Sequence, residues 1–166
     1  MKQTKLASVL READYSHKEA LQILEITQDT LMSWYKRDLV PLPKHGNPGR
    51  GHRRKYSIQD LVTLHMMKLV TPYVGQAHST LVSHDCAWIT VERYLATSPQ
   101  EPCEDEFPNA YLVLTRRELD FAVDFIGAGQ LEQFLRDLGT EITVIINLRA
   151  AIIGLFSRVF EAKKQR

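Results

Sequence analysis

The sequence predicts a mainly α protein with small β content, organised as two units. Three observations carry that expectation. Two short amphipathic helices, each opened by a capping residue, are separated by a tight turn at Glu25–Ile26. A turn-rich basic stretch follows, in which Lys44, Arg50, Arg53, Arg54 and Lys55 fall within twelve residues that hold no acid. Beyond an acidic, Pro-containing stretch at 98–109, strand-like apolar runs alternate with helical periods.

In chain order, residues 3–13 form a short helix or a frayed tail, with Leu6, Val9 and Leu10 on one side. Ser16-His17-Lys18-Glu19 is a capping box that opens a helix over 18–24, apolar at Ala20, Leu21, Ile23 and Leu24. Thr27 caps the next helix, and Ile26 and Leu31 occupy the N′ and N4 positions of a hydrophobic staple. Leu31 and Trp34 share a face of that helix with Tyr35 close by, while Asp29, Ser33, Lys36 and Arg37 fall roughly opposite. A capped helix, a tight turn and a second capped helix make a helix-turn-helix. Pro41-Leu42-Pro43 then forces extended backbone. His45 to Gly51 is a turn-rich tip, and Arg53 to Tyr56 is the return strand of a hairpin, the alternative being a solvated loop.

The run Leu31-Met-Ser-Trp34-Tyr-Lys-Arg-Asp38-Leu39, followed by Arg54-Lys55-Tyr56-Ser57-Ile-Gln-Asp60-Leu61, resembles the DNA-binding domain of the MerR family over roughly residues 15–70. The resemblance implies a winged helix-turn-helix, with a basic hairpin wing and a further helix. It also implies, by analogy, promoter distortion and effector sensing. Three positions depart from the family pattern. Glu25 stands at the turn where Gly is usual. Asp38 replaces the Gly before Leu39, although Asp tolerates left-handed backbone better than most residues. Met32 stands where Arg is frequent, which removes one expected phosphate contact.

Ser57, with Asp60 three residues on, opens a helix through Leu61, Leu64, His65, Met67 and Lys68 to about Val70. His65 is expected as a packed or surface histidine and Met66 and Met67 as core filler. Thr71-Pro72 restarts the chain as N-cap and N1 of a linking helix over 71–97, softly interrupted at Gly75. In the second unit, 110–166, Tyr111–Thr115 is a strand. Thr115-Arg-Arg-Glu118 is a capping box opening a helix through Leu119, Phe121, Ala122, Phe125 and Ile126. Leu131 to Leu138 continues on a helical period after Gly127-Ala-Gly129, and Ile142–Ile146 is a second strand. Asn147 then caps a final helix. The expected order is β-α-β-α. Two strands make a poor sheet. The unit is therefore expected to complete itself by dimerising, through strand pairing or through the seam Leu148, Ile152, Leu155, Phe156 and Val159; a self-contained α+β core is the alternative.

Charge follows the same division. Residues 1–75 hold 12 Lys/Arg against 7 Asp/Glu, and residues 76–166 hold 9 against 13, so a net charge of +1 conceals a basic half and an acidic half. Cys86 and Cys103 have no CxxC partner and no His at ligand spacing, which speaks against a zinc site and fits a reducing cytoplasm. Arg11 and Glu12 break any signal-peptide core, and the apolar stretch 142–160 is cut by Asn147, Arg149 and Arg158, so no membrane span is expected. No nucleophile–base pair or paired catalytic carboxylates stand out, and neither enzyme activity nor a cofactor or metal is expected.

The leading expectation is a cytoplasmic, nucleoid-associated, prokaryotic transcriptional regulator. It binds double-stranded DNA as a homodimer and reads an inverted repeat, with room for an effector or protein partner at the C-terminal unit. The residues expected at DNA are Gln28, Asp29, Thr30, Ser33, Lys36 and Arg37 on the second helix, and Lys44, His45, Arg50, His52, Arg53, Arg54, Lys55 and Tyr56 on the wing. Asp29 either accepts from a cytosine amino group or caps its own helix. Tyr56 plugs the gap between wing and core, with its hydroxyl free to reach a phosphate. An architectural DNA-binding role, like that of excisionases or phage DNA-packaging subunits, and a protein-interaction adaptor with a DNA-binding tether are the alternatives.

Overall fold

The computed structural model describes residues 12, 14–40, 54–89, 110–117, 120–138 and 143–165. The N-terminal segment 3–11, residues 41–53 where the wing was expected, and the acidic stretch 98–109 lie outside the described residues. The chain forms two compact units, one of Met1–Thr97 with Leu155–Arg166 and one of Ser98–Gly154. The last twelve residues thus cluster with the N-terminal unit, whereas the sequence grouped 110–166 together.

In the first unit, strand β1 (Tyr15–Ser16) leads into helix α1 (His17–Leu24), followed by α2 (Gln28–Lys36), β2 (Lys55–Tyr56) and α3 (Ile58–Ile89). The caps expected at Ser16, Thr27 and Ser57 are present. Ser16 Oγ accepts from the Glu19 amide at 3.3 Å, and Glu19 Oε2 accepts from the Ser16 amide at 2.7 Å, which closes the capping box. Thr27 Oγ1 accepts from the Thr30 amide at 3.1 Å. Ser57 Oγ accepts from the Asp60 amide at 3.1 Å, and Asp60 Oδ2 accepts from the Ser57 amide at 2.8 Å.

Ala20, Ile23 and Leu24 from α1, Leu31, Trp34 and Tyr35 from α2, and Leu61, Val62, Leu64, Met66, Met67 and Val70 from α3 are buried. Each large side chain withdrawn from water here contributes on the order of 1.5–3 kcal/mol before entropy is set against it. The strand β1 was not legible in the sequence, because two residues show no period. It pairs antiparallel with β2, Tyr15 opposite Tyr56 and Ser16 opposite Lys55, and so ties the base of the wing to the start of α1.

The expected restart at Thr71-Pro72 does not occur. Thr71 Oγ1 donates to the Met67 carbonyl at 2.6 Å as a residue inside the helix, and α3 runs through Pro72. The non-helical residue is Gly75, at φ 74° and ψ 169°, a region essentially closed to side-chain-bearing residues.

In the second unit, strands β3 (Ala110–Arg117), β4 (Asp120–Gly127) and β5 (Thr143–Asn147) form an antiparallel sheet in the order β4-β3-β5. A 3-10 turn (Ala128–Gln130) and helix α4 (Leu131–Leu138) connect β4 to β5, and α5 (Leu148–Lys164) follows. The helix expected to open at Thr115 is instead the hairpin β3–β4. The segment 121–126 pairs along its whole length with Tyr111–Arg116 of β3, and that pairing outweighs the apparent capping box. Thr115 is a mid-strand residue, opposite both Ala122 and Thr143, and is fully buried. The order is therefore β-β-α-β-α rather than β-α-β-α.

Central strand β3 buries Leu112, Val113 and Leu114 in succession, as expected of a strand covered on both faces. Asn147 Oδ1 accepts from the Ala150 amide at 3.0 Å and caps α5 as expected. The third strand comes from the chain itself, which removes the reason for borrowing one from a second copy. Leu148, Ile152, Leu155, Phe156 and Val159 are each buried.

Candidate nucleic-acid interface

The turn between α1 and α2 is built from complete backbone accounting. A helix leaves its last four carbonyls without intrahelical partners. In α1 these belong to Leu21, Gln22, Ile23 and Leu24. The Ile26 amide donates to Leu21 O at 3.2 Å and the Glu25 amide to Gln22 O at 3.3 Å, the paired bonds of a Schellman motif. Glu25 takes the left-handed conformation this motif needs, at φ 52°. The remaining two carbonyls are met by cations: Arg158 Nε donates to Ile23 O at 2.6 Å and Lys68 Nζ to Leu24 O at 2.9 Å. Both cations complement the negative end of the α1 dipole. The Glu25 carboxylate lies 3.4 Å from Lys68 Nζ and 3.9 Å from Arg158 Nη1. Helix α2 ends the same way. Asp38 sits at φ 53°, its amide donates to Tyr35 O at 3.1 Å, and the Leu39 amide donates to Trp34 O at 3.0 Å. The substitution of Glu and Asp for glycine therefore leaves the turn geometry intact.

With Leu31, Trp34 and Tyr35 buried, the opposite side of α2 is presented outward. Gln28, Asp29, Lys36 and Arg37 are exposed, and Thr30 and Ser33 are half-buried. The Thr30 hydroxyl lies 2.9 Å from that of Thr27, so it is held at the helix start. Thr27 is the residue that caps α2.

At the base of the wing, Lys55 is exposed, while Arg54 is half-buried against α2. Its guanidinium lies 5.1 Å from the centre of the Tyr35 ring, and Nη1 donates to Met32 Sδ at 3.4 Å. The position where an arginine was expected on α2 thus receives a guanidinium from the wing. Lys44, His45, Arg50, His52 and Arg53 lie outside the described residues.

Tyr56 departs from expectation. It is fully buried, and its hydroxyl is taken up by the core: His17 Nδ1 lies 2.9 Å away and the Tyr35 hydroxyl donates to it at 3.3 Å. It is a plug, as expected, but offers no hydroxyl to a phosphate. Burial pushes the Tyr56 and Tyr35 hydroxyls above their ordinary titration range, and burial followed by the nearby Arg54 charge lowers that of His17. The Tyr35 to Tyr56 to His17 chain therefore consists of neutral groups.

Sequence reasoning missed His17, Lys68 and Arg158. Lys68 and Arg158 act on α1 from 44 and 135 residues away, beyond the reach of any local pattern. Among the described residues no group of three or more His, Cys, Asp or Glu could hold a metal ion, and no helix is long and apolar enough to cross a membrane.

A family model described as MerR HTH family regulatory protein matches residues 15–71. The match begins at β1 and ends in α3, so it covers the helix-turn-helix and the base of the wing. No match was found among curated proteins. In general terms the segment is the domain of a DNA-binding transcription regulator, and DNA is the partner that goes with it.

Proposed function

We propose, from the MerR-type helix-turn-helix at residues 15–71, that the protein is a sequence-specific regulator that reads an inverted repeat as a homodimer. In this reading α2 enters the major groove. Asp29, Ser33 and Lys36 address base edges, with Gln28, Thr30 and Arg37 beside them fixing phosphates. Lys55 and the basic residues from Lys44 onward follow the flanking backbone. Arg54 anchors that segment to α2.

The observation that supports this most is the two-sidedness of α2. One face is sealed into the core by Leu31, Trp34 and Tyr35, and the other carries Gln28, Asp29, Lys36 and Arg37 in solvent. An outer face rich in hydrogen-bonding groups suits a helix that addresses base edges and phosphates.

Selection of bound duplexes from a random pool tests the reading. A homodimer should enrich two half-sites related by inversion, with centres about 34–36 Å or a multiple apart along the duplex. Enrichment of one asymmetric site would overturn the dimeric part, and absence of any enrichment would overturn sequence-specific binding.

A further inference from the structure

We propose that Arg158, carried by the C-terminal helix, is a positioning residue for DNA recognition: it fixes the end of α1 and thereby the angle at which α2 is offered to the duplex. The proposal rests on the DNA-reading function above. Its basis is the carbonyl accounting at the α1–α2 turn. Two of the four terminal carbonyls of α1 are met by the turn's own amides, and those bonds form in any Schellman turn. The Ile23 carbonyl is met by Arg158 Nε at 2.6 Å. The same guanidinium places Nη1 3.9 Å from Glu25, the residue holding the left-handed turn at φ 52°. One side chain thus touches both the last turn of α1 and the strained hinge beyond it.

The helix that delivers Arg158 is itself anchored. Leu155, Phe156 and Val159 flank it and are all buried. Arg158 is half-buried, with 27% of its side chain exposed, so it sits at a fixed place rather than sweeping the surface. An N–H aimed at a carbonyl is directional. Ile26 follows two residues after Glu25's predecessor Leu24, and α2 begins at Gln28, so a small rotation at the end of α1 is carried directly into α2. Errors of about 1 Å in placing a recognition group are enough to lose directional bonds.

The side-chain chemistry provides a clean test in the full chain. In Arg158→Gln the amide nitrogen occupies the place of Nε, so the donor to Ile23 survives while the charge is lost. Arg158→Met has a methyl group at that place and loses both. Arg158→Lys keeps charge and moves the donor. Lys163→Met, on the same helix and exposed, controls for net charge. Binding to the selected site and to scrambled duplex is measured across a salt series, together with amide exchange at Ile26.

The expected result is a five- to tenfold loss of preference for the selected site in Arg158→Met, near wild-type preference in Arg158→Gln, and no change in Lys163→Met. Scrambled-duplex affinity and salt slope stay within twofold throughout, and Ile26 exchange quickens about tenfold in Arg158→Met alone. A folded Arg158→Met with unchanged preference overturns the proposal. So do equal losses in Arg158→Gln and Arg158→Met with a shallower salt slope, which would make Arg158 a direct phosphate contact. Should Arg158→Met not fold, Arg158→Gln retaining preference while Arg158→Lys loses it supports the positioning role, and the reverse order overturns it. A wild-type protein with no sequence preference would instead overturn the function on which the proposal rests.

Discussion

The guanidinium of Arg54 lies over the ring of Tyr35, 5.1 Å from its centre, and so joins the segment leading into β2 to helix α2. Its neighbour Lys55 points into solvent. Two adjacent cations therefore do different work. Arg54→Ala removes a cation–π contact worth about 1 kcal/mol at a half-buried site and should lower the urea midpoint accordingly. Lys55→Ala should leave the midpoint unchanged. It should instead weaken binding to all duplexes alike and flatten the salt slope by about 0.9 per protomer, measured as log K against log salt concentration.

Burial of the Tyr56 hydroxyl between Tyr35 and His17 gives a second prediction. Tyr56→Phe leaves His17 Nδ1 and the Tyr35 hydroxyl short of a partner, which costs about 2 kcal/mol. The salt slope should not move, because this hydroxyl lies inside the domain. A flattened slope would restore Tyr56 as a phosphate contact.

The same cluster makes stability depend on pH. His17 titrates lower in the folded domain than its ordinary 6.5, first because of burial and then because of Arg54. Over the interval between the folded and unfolded values the unfolded chain binds more protons. Stability held by neutral His17 is therefore complete above about pH 6.5 and is lost as pH falls toward the folded value. Urea midpoints from pH 7.5 to 5 should decline in the wild type, and His17→Asn should decline less over the same interval.

What could be read from the sequence was local. Ser16 with Glu19 and Ser57 with Asp60 are reciprocal signals three residues apart, Thr27 is a single capping signal, and all three caps exist. The buried face of α2 followed from the spacing of Leu31, Trp34 and Tyr35. Failures came where a local signal competed with a distant one. Thr115-Arg-Arg-Glu118 has the form of a capping box, but β3 is held on both sides, by Ala122 and Thr143 facing Thr115, and pairing decides. Tyr56 is a plug, as its aromatic ring beside the helix-turn-helix indicates. Its hydroxyl is taken by His17, 39 residues away in sequence and outside any local pattern. Lys68 and Arg158 were invisible for the same reason.

The two left-handed residues separate backbone strain from side-chain use. Asp38 sits at φ 53°, its side chain is exposed, and glycine would adopt this conformation without the clash of a Cβ. Asp38→Gly should stabilise by about 0.5 kcal/mol after the entropy glycine adds to the unfolded chain. Glu25→Gly relieves a similar strain at φ 52° but surrenders the carboxylate facing Lys68 and Arg158. Exposed ion pairs of this kind contribute roughly 0–1 kcal/mol, so the two effects nearly cancel. Matched urea titrations should show Asp38→Gly above the wild type and Glu25→Gly close to it. A Glu25→Gly more stable than Asp38→Gly would mean that Glu25 contributes nothing through its side chain.

Ser33 and Lys36 lie on the solvent side of α2, on the face away from Leu31 and Trp34, and neither supports the core. Ser33→Ala and Lys36→Ala should therefore fold as the wild type does. If these residues address base edges, each substitution should change which duplexes are enriched, relaxing discrimination at one or two base pairs by about 1–3 kcal/mol each. Lys55→Ala should enrich the same duplexes as the wild type, only more weakly. Sequencing the pools selected by all three variants decides between the roles. Unchanged preference in both helix variants, with altered preference in Lys55→Ala, would transfer the reading of sequence from α2 to the wing.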